Sequence, residues 1–266
     1  MSDRFTRRSA SGRSASDWSA LGLPVLGSLS LIAAWWLAVI IFDVQPFVLP
    51  TPPDVVRAFG RLHDYLLQQT WATLAATGVG YLLAVVVGLV TAVLLTASRT
   101  VERAVLPLLV AGNAVPKIAV APLMVLWLGF GSSPKVFMAA LISVFPIMVA
   151  AMAGLTSAPV EMIELGRSLS ASRWQTYRKF RLPWALPQIF IGLKLGITLA
   201  VVGTVVGEFA GGESGLGYVI VASGGSADTA LAFAAMALLS AMSVLLFYLV
   251  VAVELLLLPW AREISG

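Results

Sequence analysis

The chain has 266 residues, of which 59% are hydrophobic and 11% charged, with a net charge of +4. Soluble domains carry about 25% charged residues, so this composition, with a mean hydropathy of +0.94, excludes a water-soluble globule. Cysteine is absent, which removes disulfides, thiolate metal sites and cysteine nucleophiles, and so small a positive charge is a poor basis for binding nucleic acid.

The first 18 residues are rich in Ser and Arg, including Arg4, Arg7, Arg8 and Arg13. The apolar run that follows, 21–42, is too long for the core of a secretory signal, and no small-x-small site closes it. Residues 1–20 therefore read as a disordered basic tail and 21–262 as one transmembrane domain. Crossing a bilayer takes about 20 apolar residues. Six segments qualify, 21–42, 71–97, 104–128, 136–155, 186–209 and 230–258. The expected fold is an all-α membrane protein with about six transmembrane helices.

The third segment is the least regular, because Asn113, Pro116, Lys117 and Pro122 interrupt it. Such breaks are tolerated at membrane depth only where protein or water re-satisfies the backbone, so this segment should not face lipid. With the N-terminus inside, twelve Lys and Arg fall in inner segments and only Arg57, Arg61 and Lys135 in outer ones. This bias places both termini in the cytoplasm. On the outer side, Leu49-Pro50-Thr51-Pro52-Pro53 is an extended entry to a short helix at 54–67. The glycine-rich stretch 211–228 holds an apolar patch at 216–221 that suits an interfacial or re-entrant piece.

The longest inner loop is 159–187. Its first half has apolar residues at helical spacing, Met162, Leu165 and Leu169. Glu161 and Glu164 lie where a helix dipole favours anions, and Glu164 and Arg167 are three apart. Ser170-Ala171-Ser172 supplies a turn and a second N-cap. A short basic helix then covers 173–180, which Pro183 and Pro187 end before the next span. Charge and periodicity alone also fit a loop lying on anionic headgroups.

Glu164-Leu165-Gly166, three residues, Ser170, nine residues, then Phe180-Arg181-Leu182-Pro183 resembles the EAA loop of ABC importer permeases, whose pattern is Glu-Ala-Ala, three residues, Gly, nine residues, Ile-x-Leu-Pro. The spacing fits without a gap. Leu165 and Gly166 replace the two alanines, Ser170 the glycine and Phe180 the isoleucine. Leu49-Pro50-Thr51-Pro52, the stretch Val115–Leu123 around Lys117, Trp127-Leu128-Gly129-Phe130-Gly131, and Glu208 with Gly215-Leu216-Gly217-Tyr218 are similar to the nitrate/sulfonate/taurine branch, which includes permeases for pyrimidine precursors and riboflavin.

The resemblance implies a type I importer permease in the inner membrane. A second copy of the chain, two cytoplasmic ATPase subunits holding ATP and Mg²⁺, and an extracytoplasmic solute-binding protein would accompany it, with no cofactor on this chain. It assigns ATPase coupling to Glu161, Glu164, Leu165, Gly166, Arg167, Ser168, Leu169, Ser170, Ala171, Ser172, Leu182 and Pro183. The absence of G-x-x-x-x-G-K-[ST] agrees with nucleotide binding elsewhere.

Asn113, Pro116, Lys117 and Glu208 are candidates for the translocation path. A charge such as Lys117 costs at least ~2.5 kcal/mol in a span, so it needs water or a partner, and Glu208 is the obvious carboxylate. Lys194 fits snorkelling to the inner interface. Gly78, Gly80 and Gly88 suggest close helix packing, and His63 an exposed loop. A secondary transporter would need intramembrane carboxylates or inverted repeats, of which only Glu208 stands out. An intramembrane enzyme lacks its motifs: H-E-x-x-H and G-x-S-x-G are both absent.

Overall fold

The computed structural model describes residues 13–259, with side chains from Leu26 onward except those of Arg167 and Arg173. Its described residues form helices and connections in the order α1 (Arg13–Ile41), α2 (Pro52–Arg61), α3 (His63–Ala97), α4 (Arg99–Ala114), α5 (Lys117–Leu128), α6 (Ser132–Thr156), α7 (Val160–Ser168), α8 (Arg173–Thr176), a π-helical turn (Tyr177–Arg181), α9 (Leu182–Gly211), α10 (Leu216–Gly225) and α11 (Thr229–Leu257). Four stretches are long and apolar enough to cross a membrane alone: α3, α6, Trp174–Gly211 and α11. The pair α4–α5 qualifies as a bent fifth. α1 runs for 29 residues and covers most of the first expected span, but its apolar part Leu26–Ile41 is shorter than the stretches that qualify. Residues 13–20, expected as tail, are its first turns; residues 1–12 lie outside the described part.

α6 is the centre of the bundle, packed between α3 and α9. The contact is made backbone to backbone. A Cβ on Gly203 would stand 2.5 Å from the carbonyl oxygen of Met138, and one on Gly207 2.7 Å from Cα of Lys135. A Cβ on Gly80 of α3 would reach Ala139 Cβ at 2.5 Å. Lipid tails are as apolar as side chains, so membrane helices gain from close packing of small residues more than from burial itself. On α3 the buried residues Ala76, Gly80, Ala84, Gly88 and Ala92 recur every fourth position, one continuous stripe. Gly80 and Gly88 thus do what their sequence suggests. Gly78 does not: nothing lies within 4 Å of its Cβ position.

The expected third span is a single crossing, but not a straight one. α4 and α5 meet at 87°. Val115 between them is extended (φ −62°, ψ 129°), the conformation that a following proline imposes, and Pro116 has no N–H to continue the ladder. Leu106 and Leu109 of α4 pack with Leu155 and Ile189. Ala121 and Met124 of α5 pack with Met138 near the far end of α6. The two halves therefore join opposite ends of the bundle and do not return to one face.

The helix expected at 54–67 divides at Leu62 into α2 and the start of α3, so the second span begins earlier than the hydropathy suggested. Thr51 and Asp54 form a reciprocal capping box at the start of α2. The apolar patch at 216–221 opens α10, whose Leu216 and Val219 are buried against Ala58, Ala234 and Ala235.

Two glycine substitutions separate packing from propensity. Gly203→Ala pushes a methyl into a backbone carbonyl and should lower stability by about 1–3 kcal/mol. Gly78→Ala meets open space and should raise it by up to ~1 kcal/mol. Thermal unfolding of the purified chain in lipid nanodiscs measures both, and equal shifts of the same sign would refute the seam.

Candidate coupling loop and translocation path

α7 has two unlike faces. Leu165 and Leu169, one turn apart, are 56% and 72% exposed; Glu161, Glu164 and Ser168 are also exposed. Met162 and Ile163 are half-buried, and Gly166 is buried. The Cβ position of Gly166 lies 3.2 Å from the ring of Phe180, so this glycine is seated within the loop itself and is not available to another chain. Gly166, which the resemblance assigns to ATPase coupling, thus turns its Cβ side to Phe180. The side chain of Arg167, expected to pair with Glu164, lies outside the described ones.

α7 ends in a Schellman motif. The Ala171 N–H reaches back to the Gly166 carbonyl at 2.9 Å, and Ser170 between them sits at φ +56°. That left-handed position favours glycine, which explains why the EAA pattern has glycine there; serine occupies it at a cost. Ser172 then caps α8 as expected: its hydroxyl accepts from the Gln175 N–H at 3.2 Å, while Gln175 Oε1 accepts from the Ser172 N–H at 2.8 Å. Trp174, 67% exposed, stacks on Tyr177 with ring centroids 6.2 Å apart.

No break follows at Pro183 or Pro187, contrary to the expected end of this helix. The π-helical turn, where the Leu182 N–H bonds to the Tyr177 carbonyl, widens the helix just ahead of Pro183, whose ring would otherwise crowd the carbonyl four residues back. One helix consequently runs from Trp174 to Gly211. Leu182 packs with the core around Leu155 and Ala185. Pro183, like Leu182 half-buried, lines an open cleft of about 510 Å³ with Met162, Phe180 and Trp184. Ala171 is half-buried.

At the α4–α5 break, the ammonium of Lys117 donates to Asn113 Oδ1, one turn back across the bend. Both are half-buried, whereas Val115, Pro116 and Ile118 are exposed. Glu208 is not the partner of Lys117. It is 2% exposed, accepting from the Thr73 hydroxyl at 2.8 Å and the Gly217 N–H at 2.7 Å. Lys194 does not snorkel either: it pairs with Glu254 of α11 at 2.9 Å. Lys135, placed in an outer loop by sequence, is 1% exposed in the first turn of α6 and donates to the Ser214 carbonyl at 2.6 Å. Of these unforeseen partners, Glu254 alone carried a signal, a carboxylate inside an apolar run. Thr73 carried none, since a hydroxyl on a helix has many uses.

The geometry of the loop yields a test. Gly166 and Phe180 together replace the alanine and isoleucine of the EAA pattern, a smaller residue facing a larger one. Gly166→Ala should destabilise the chain, and less so beside Phe180→Ile, with a coupling energy of about 0.5–1 kcal/mol. Ser170→Gly should stabilise by about 1 kcal/mol by relieving the left-handed residue. Thermal unfolding reads all of these, and additivity of the first pair would contradict the contact.

The family described as the binding-protein-dependent transport system inner membrane component matches residues 84–263. The riboflavin transport system permease protein of Chloroflexus aurantiacus is 40% identical, covering 92% of this chain and 91% of that protein. The formylaminopyrimidine transport permease protein of Halalkalibacterium halodurans is 34% identical over 90% of this chain and 96% of its own length. The taurine transport system permease protein of Escherichia coli is 29% identical, covering 90% of each. An inward-facing structure of the MetNI methionine ABC transporter shares the fold, with a TM-score of 0.61 at 23% identity, covering 71% of this chain and 93% of that one. Fold, loop and relatives agree: the chain belongs to the family of binding-protein-dependent transport system inner membrane components, as a multi-pass permease subunit of an ABC importer.

Proposed function

We propose that α7, with Trp174 of α8, docks on a cytoplasmic ATPase subunit and that two copies of the chain enclose the path of an ATP-driven importer. ATP and Mg²⁺ are then held by the ATPase pair, and an extracytoplasmic binding protein delivers the solute to the end opposite the loop. The observation that carries this reading is the exposed Leu165–Leu169 face. It projects from a loop joined to a spanning helix by continuous backbone, so a partner seated there moves the membrane domain directly.

The path runs beside Asn113, Pro116 and Lys117. None of α4 is buried within the chain, yet a half-exposed lysine and an interrupted backbone are unsuited to lipid. A second copy and a water-filled cavity supply what that face needs. Glu208 has no part in lining this path.

A small heterocyclic solute is the favoured cargo, because the relatives at 40% and 34% identity are named for riboflavin and formylaminopyrimidine transport. A sulfonate such as taurine is the second reading, supported by the 29% relative and by an ammonium at the break. Binding of flavins, pyrimidines and sulfonates to the cognate binding protein decides between them.

Docking is tested by Leu165→Glu and Leu169→Glu. Each exchanges about 1.5–3 kcal/mol of apolar burial for a buried charge, so ATPase co-purification should weaken at least tenfold while unfolding of the free chain is unchanged. Retention of the ATPase at parental affinity in both variants would overturn the assignment.

A further inference from the structure

Glu208 stands near the far end of the 38-residue helix that begins at Trp174. Its Oε2 accepts from the Gly217 N–H, and its Oε1 from the Thr73 hydroxyl. Thr73 Oγ1 in turn accepts from the Leu216 N–H at 2.8 Å, and Gln69 Oε1 accepts from the Gly215 N–H at 2.5 Å. Three successive N–H groups at the start of α10, which a helix leaves without internal partners, thus end on side chains of α3 and α9. The carboxylate is also at the favourable pole of the α10 dipole.

The glycines of this segment are the room that the carboxylate occupies. A Cβ on Gly215 would lie 1.8 Å from Glu208 Oε1, and one on Gly217 2.7 Å from Oε2. From α6, Lys135 closes the cradle through the Ser214 carbonyl and its hydroxyl, at 2.6 and 3.0 Å. α10 packs on α2 and α11 at the end of the bundle opposite α7.

We infer that Glu208 is a positioning residue that makes α10 move with the coupling loop. The helix from Trp174 to Gly211 spans roughly 57 Å at ~1.5 Å per residue, and its two ends carry the loop and the α10 cap. α9 cannot rotate or slide without drawing the N-terminus of α10 with it, because each bond in the cap is short and shielded from competing water. α10 is accordingly the segment at the far mouth that responds to the ATPase. This rests on the docking proposed for α7.

The test uses the complete importer, permease with ATPase and binding protein, in lipid nanodiscs and proteoliposomes. In the parent, amide hydrogen exchange across 215–225 should differ between the nucleotide-free and ATP-trapped states. Glu208→Gln keeps the shape but removes the charge and one acceptor oxygen. It should abolish that difference and lower solute moved per ATP about tenfold, the scale of a lost charge-assisted hydrogen bond, while hydrolysis continues. Thr73→Val should follow it, and Thr73→Ser, which keeps the hydroxyl, should behave as parent. The inference is overturned if Glu208→Gln or Thr73→Val retains parental solute per ATP, or if hydrolysis and transport fall in proportion, as a general loss of folding would give. A fault in the docking assignment shows separately, as intact assembly in Leu165→Glu.

Discussion

A bilayer interior offers no hydrogen-bond partner to a backbone group that loses its helical one, and no water to an ammonium or carboxylate. Among the described residues, three sets of polar side chains answer this constraint. The N-terminus of α10 is held by Glu208, Thr73 and Gln69. The bend between α4 and α5 is bridged by Lys117 and Asn113. Lys194, inside α9, meets Glu254 of α11. The first of these is satisfied wholly within one chain and buried. The second lies half-exposed at the surface of the chain, which is where a translocation path needs its polar groups.

Close packing supplies the other half of the design. The glycine contacts of α6 with α3 and α9 bring backbones to distances that exclude a side chain, so these three helices form a stiff unit. α9 continues through the π-helical turn into the coupling loop. A force applied at α7 therefore reaches the stiff unit through the short turn at Ser170 and the helix that begins at Trp174. Bistable packing between rigid elements is how small displacements become discrete conformational changes, and an importer needs such a change to open its path alternately to either side.

Much of this was legible in the sequence, for physical reasons. Apolar length gave the spans, and proline with glycine gave the interruptions. Ser172 announced the cap of α8, and the loop at 159–187 carried its motif in register. What escaped was of two kinds. Partners distant in sequence, such as Thr73 with Glu208, leave no local trace, so spacing alone did not show that Glu208 caps α10. Directions also escaped. Spacing alone does not tell whether Gly166 turns outward to another chain or inward to Phe180, nor whether Pro183 ends a helix or is absorbed by a wider turn.

The central claim is that transport is driven from the loop by a separate ATPase. It is tested most directly by solute uptake into proteoliposomes, comparing this chain alone with the chain joined by its ATPase and binding protein, with ATP supplied on the loop side. The account predicts accumulation only in the complete assembly with hydrolysable ATP. Uptake by the chain alone, driven by an ion gradient and indifferent to ATP, would contradict it.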